Sequence, residues 1–85
     1  MAQKIIYKCK YIEVPESPKL KDDLESKLLN KEFTLHDKPT KQRCLWLNFD
    51  TEIWRSPTSI INIEEIAEGY IIKTRGEIYC IHKSK

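Results

Sequence analysis

At 85 residues and 10.1 kDa the chain has room for one domain and none for a deep, multi-layered active site. Its 15 Lys and Arg against 13 Asp and Glu leave a formal charge of +2, far from the basic excess of a non-specific nucleic-acid binder and from the acidic excess of a nucleic-acid mimic. No apolar run approaches the roughly 18 residues of a membrane span and no secretion-signal pattern is present, so the expectation is one compact cytoplasmic domain over residues 1–85, frayed at its last two or three residues.

In chain order, Lys4 to Val14 reads as a half-buried strand, with alternation setting Tyr7, Cys9 and Tyr11 opposite Lys8 and Lys10. Ser17 followed by Pro18 is a helix start, because a seryl oxygen can accept from free amides while proline at the first helical position gives up no useful donor. Leu20, Leu24 and Leu28 then form one apolar stripe with Leu29 beside it, and Asn30 and Lys31 suit an exit near residue 30. Asp22 and Asp23 are read as first-turn acids that favour the helix dipole. Such a helix, about 12 residues long, is marginal alone and needs a sheet to cover its leucines.

Glu32 to Leu35 suggests a short strand, and His36 to Gln42 a polar loop around Pro39. Within Arg43 to Phe49, Leu45, Leu47 and Phe49 alternate with Cys44, Trp46 and Asn48, which puts Trp46 on the less buried face. Asp50 to Pro57 reads as a connection, with Thr51 to Trp54 as an alternative extension of a strand or turn. Thr58 to Ile63 is a strand, Glu64 to Glu68 a loop or a single helical turn, and Tyr70 to Arg75 with Ile78 to His82 a hairpin in which Gly76 supplies a positive φ. The fold class is therefore α+β: one helix in the amino-terminal half packed on a curled antiparallel sheet of four to five strands, with closure into a partial barrel as the alternative to an open sheet.

Catalytic chemistry requires a nucleophile, a base and a means of stabilising charge, and no such set stands out. Cys9, Cys44 and Cys80 cannot all pair within one chain and form no C-x-x-C unit, so they read as reduced thiols. With His82 they offer four zinc-type ligands, but without the tight spacing of a structural site. His36 beside Asp37 is a poor catalytic pair, Asp50 and Glu52 lack the further carboxylates a Mg²⁺ site would use, and neither glycine belongs to a phosphate-binding loop. The expectation is a non-enzyme with no catalytic residue, cofactor or metal.

Binding remains. Several strands look apolar on both faces, as at Ile60–Ile61 and Ile71–Ile72, so an open sheet would leave one face for a partner or for a homodimer. Trp54 and Arg55 ahead of Ser56-Pro57, together with Trp46 and the acidic residues Glu64, Glu65 and Glu68, are the candidate protein-binding residues. Residues 50–68 carry a net charge of −4 and residues 69–85 one of +3, a polarity that can orient a partner. Isoleucine far outnumbers valine and lysine far outnumbers alanine, a bias shared with AT-rich bacterial and phage genomes. The functional expectation is a small protein-binding module, an accessory factor or inhibitor of phage or bacterial origin that acts on a host protein. The alternative is a nucleic-acid-binding domain that uses Lys8, Lys10, Lys41 and Arg43 with aromatic neighbours.

Overall fold

The computed structural model describes residues 5–84; Lys4 and Lys85 lie outside them. The elements are β1 (Tyr7–Glu13), α1 (Pro18–Leu28), β2 (Glu32–Leu35), β3 (Cys44–Asn48), β4 (Ile53–Ile66), β5 (Gly69–Thr74) and β6 (Ile78–Lys83). Each strand pairs antiparallel with the next strand in sequence and β6 returns to β1, so the sheet closes into a barrel. The α+β class and the curled sheet are as expected, but the described residues form six strands rather than four to five. Closure answers the two-sided apolar pattern, because one face of every strand now lines an interior filled by Tyr7, Cys9, Ile12, Leu45, Leu47, Ile60, Ile72, Tyr79 and Ile81.

Helix α1 caps this core. Ser17 is its N-cap, with Oγ accepting from the Leu20 amide at 3.2 Å, and Pro18 opens the first turn. Leu24 and Leu28 are buried in the barrel cluster, while Leu20 and Leu29 pack at its margin. Asp22 and Asp23 fall beyond the first turn, so the dipole contribution read from the sequence is not realised. Asn30 leaves the helix with φ 63°, a left-handed conformation that asparagine tolerates, and its amide donates to the Cys9 carbonyl at 3.2 Å.

Simple alternation fails where strands bulge. On β1, the pairing Cys9–Ile81 is followed by Tyr11–Cys80, so one extra residue turns Tyr11 outward, 42% exposed, and brings Ile12 inward. On β4, Trp46 pairs with Arg55 but Cys44 with Ser59, so β4 holds two more residues than β3 between these pairs. Pro57, which cannot donate to a ladder, sits in that bulge. The buried Ser56 hydroxyl accepts from the Leu45 amide and donates to the Thr58 carbonyl, both at 2.8 Å, and so replaces a partner that the bulge removes.

The expected connection at residues 50–57 and the expected break at 64–68 are therefore mostly strand. β4 runs through both, and only Ala67 and Glu68 turn the chain into β5. Gly69 follows because a Cβ there would collide with the Ile81 carbonyl oxygen across the ladder. Gly76, by contrast, has no positive φ. The β5–β6 turn is instead closed by Thr74, whose amide donates to the Glu77 carbonyl at 2.8 Å and whose Oγ1 accepts from the Glu77 amide at 2.9 Å. At the other end of β6, the Ser84 amide donates to the Ile6 carbonyl at 2.6 Å.

Candidate binding surface

The strands of a closed barrel can meet other molecules only through their outward residues. On β2, β3 and β4 the register forms two rows on the outer face. Thr34 lies opposite Asn48 and Asn48 opposite Ile53, while Trp46 lies opposite Arg55 and the His36 amide donates to the Trp46 carbonyl at 3.1 Å. Trp46 is 38% exposed, with the Arg55 guanidinium carbon 5.9 Å from its ring centroid and the His36 ring at 6.0 Å. The rows are tied together by His36 Nδ1 and Asn48 Oδ1 at 3.0 Å and by Asn48 Nδ2 donating to Thr34 Oγ1 at 3.3 Å. The His36 ring thus engages Asn48 rather than Asp37, the orienting residue considered from the sequence.

The two tryptophans have different roles. Trp54 points inward opposite Leu47, packs on the core and meets Tyr79 edge-on at 5.8 Å. Its sequence neighbour Arg55 points outward, so the Trp54-Arg55 pair is split between core and surface and the outer partner of Arg55 is Trp46. Glu64, Glu65 and Glu68 are exposed near the β4–β5 turn, on the order of 25 Å further along β4. They belong to a different part of the molecule from Trp46.

The alternative basic set is also divided. Lys8 pairs across β1 with Glu32 and with His82, and Lys10 lies beside the β1 bulge. Lys41 and Arg43 occupy the β2–β3 loop, where Lys38, Arg43 and Trp46 border one hollow. Strand β2 separates the two basic groups.

A second hollow, a groove of about 960 Å³, opens beside the Thr34–Asn48–Ile53 row. Its lining includes Ile5, Ile6, Phe33 and Phe49 with Glu32, Asp50 and Glu52. Of its members, Asp50 and Glu52 were weighed from the sequence as a Mg²⁺ pair, and none was read as a protein-binding residue. Strand parity would have exposed Asn48 and Ile53 together with Trp46 and Arg55 had the stretch around Pro57 been read as strand.

The thiols are positioned for packing. Burial pushes Cys9 up to about 12, with Cys80 adding to the shift, and burial raises Cys80 as well. Both are held as thiols at neutral pH, the opposite of what a nucleophile or metal ligand requires. Cys80 Sγ lies 3.4 Å from His82 Nε2, but Cys44 is on β3. Among the described residues no three His, Cys, Asp or Glu side chains converge as a metal site, and no helix is long and apolar enough to cross a membrane. Comparison with protein-family models, curated proteins and solved structures returned no match.

Proposed function

We propose that this chain is a small non-enzymatic protein-binding module whose contact surface is the outer face of β2, β3 and β4. The observation that carries the reading is Trp46: an indole on the outside of a closed barrel, flanked by Arg55 and His36, with no part in the buried core. Tryptophan and arginine are enriched among interface hot spots, the indole because it buries a large area with few rotatable bonds and the guanidinium because it combines apolar contact with directed donors. Closure turns one face of every strand into the barrel interior, so a second copy is not required to cover that face. An accessory or inhibitory role on a host protein would be exercised through the same surface.

Nucleic-acid binding keeps one observation in its favour, the shared hollow of Lys38, Arg43 and Trp46. Affinity capture from a bacterial lysate, with and without nuclease, separates the two readings. A protein partner should survive nuclease and depend only weakly on salt, whereas phosphate-led binding would fade steeply as salt rises. Trp46→Ala should abolish capture while thermal melting stays unchanged. Trp54→Ala should instead destabilise the fold by about 2–4 kcal/mol, because it opens the core. Retained capture by folded Trp46→Ala protein would remove the surface from consideration.

A further inference from the structure

We infer that the groove bounded by Ile5 and Ile6, β2 and the β3–β4 turn is a docking slot for an extended segment of a partner protein that carries an aliphatic or aromatic side chain next to Lys or Arg. The inference rests on the protein-binding reading and specifies the partner's chemistry at a neighbouring part of the same face.

Three observations converge on this slot. The first is apolar exposure. Of the six large apolar side chains exposed among the described residues, Ile5 at 47%, Ile6 at 36% and Ile53 at 56% all border this one groove. The half-buried Phe49 adds apolar surface between them, backed at 5.5 Å between ring centroids by the buried Phe33. Clustered apolar exposure of this kind marks a contact site, whereas single exposed side chains are ordinary.

The second is charge. Among the described residues, every charged one that lines the groove is acidic, namely Glu32, Asp50 and Glu52, on a chain whose net charge is +2. Lys27 and Lys31 share an adjoining hollow with these same three carboxylates and do not line the groove itself. An apolar trough with an acidic rim selects a segment that is both apolar and basic, and it disfavours an acidic one through like-charge repulsion.

The third is backbone geometry. Strands β1 and β2 pair only at Tyr7–Phe33 and Lys8–Glu32. The next positions in that register, Ile6 with Thr34 and Ile5 with Leu35, are unpaired in the ladder and part to form the slot. One wall is set in advance by the hydrogen bond between Asn48 and Thr34, which reduces the ordering a partner must impose. A gap between two strand ends admits an extended chain more readily than a helix, whose diameter with side chains is about 10 Å.

The test uses the full chain and two labelled synthetic peptides, one alternating Lys and Leu over seven residues and one alternating Glu and Leu, followed by fluorescence polarisation. The Lys–Leu peptide should bind saturably and the Glu–Leu peptide should not. Glu52→Lys and Ile53→Ser, both at exposed positions, should each weaken binding by about tenfold. Glu64→Lys at the distant hairpin and Trp46→Ala should change it less than about twofold, so failure of the Trp46 surface and failure of the slot give different patterns. Equal binding of both peptides, or an equal loss from Glu64→Lys and Glu52→Lys, would reduce the effect to diffuse charge attraction and overturn the inference. So would a dimer in sedimentation that Glu52→Lys dissociates, since a second copy would then be the occupant.

Discussion

Glu77 shows how much one residue can hold in a domain of this size. It is 2% exposed, yet Oε2 accepts from Thr58 Oγ1 and Oε1 from the Tyr79 hydroxyl, both at 2.8 Å. These bonds clamp the β5–β6 turn to the bulged part of β4. Glu77→Ala should destabilise the protein by about 2–4 kcal/mol in urea denaturation, because it leaves two hydroxyls short of an acceptor and opens a void. Glu77→Gln should cost less than about 1 kcal/mol, since an amide of the same shape can still engage both hydroxyls. Equal costs would show that the paired carboxylate acceptors and not the volume matter. The buried Cys9 thiol makes a separate prediction about alkaline stability. Its folded pKa of about 12 lies above the ordinary 9.0, so the unfolded chain gives up this proton first. The stabilisation is therefore complete below pH 9 and declines as pH rises through 9 toward 12, by at most about 1.4 kcal/mol per pH unit for one group. Tyr79, raised by burial and by its bond to Glu77, adds a decline of the same sign beginning near its ordinary 10.0. Cys9→Ala should shrink the earlier part of the fall in urea midpoint, to which the raised Cys80 thiol also contributes, and leave the later part. An unchanged pH profile would mean that Cys9 contributes no linkage.

Among the elements, α1 and β4 mark the two extremes of legibility. The helix was readable because its signals are local: a seryl cap, a proline at the start and leucines at helical spacing all lie within one short segment. Strand β4 was not, because Pro57, Ser56 and the run of glutamates each argue locally against a strand, while the bonds that keep it one come from β3 and β5. The binding surface was legible to the same limited degree. Trp46 was placed outward by simple alternation, but Ile53 and Arg55 could join it only once β4 was known to begin at Ile53. Tyr11 was misplaced for a related reason, since a bulge reverses parity and leaves no mark in the spacing of apolar residues. Ser56 is the residue on which β4 turns. Ser56→Ala would leave the buried Leu45 amide without its acceptor and free the bulge, at an expected cost of about 1–3 kcal/mol. Ser26→Ala, on the exposed side of α1, should change stability by less than about 0.5 kcal/mol and serves as the comparison. A neutral Ser56→Ala would show that Pro57 alone is enough to set the bulge.

At the scale of the whole molecule, closure is uneven. The ladders β4–β5, β5–β6 and β1–β6 run along most of their strands, whereas β2 joins β1 through only two residue pairs and β3 through two. A barrel needs every seam, and the free energy to open one locally scales with the pairing and burial lost there. The weakest seam is therefore at β2, the strand that forms a wall of the groove, carries Thr34 on its outer face and leads directly into His36. Backbone amides of β2 should exchange with solvent deuterium faster than those of β5 and β6, through an opening that leaves the rest of the barrel intact. Glu77→Ala, whose network lies between β4 and β6, should lower the protection of β5 and β6 while leaving the faster β2 exchange nearly unchanged. Uniform protection across all six strands would mean that the barrel opens only as a unit. In that case the surface around Trp46 would be presented as a rigid face. Selective exchange at β2 would instead make its ordering a cost that a partner must offset on binding, and the partner's presence should then slow exchange at β2 first.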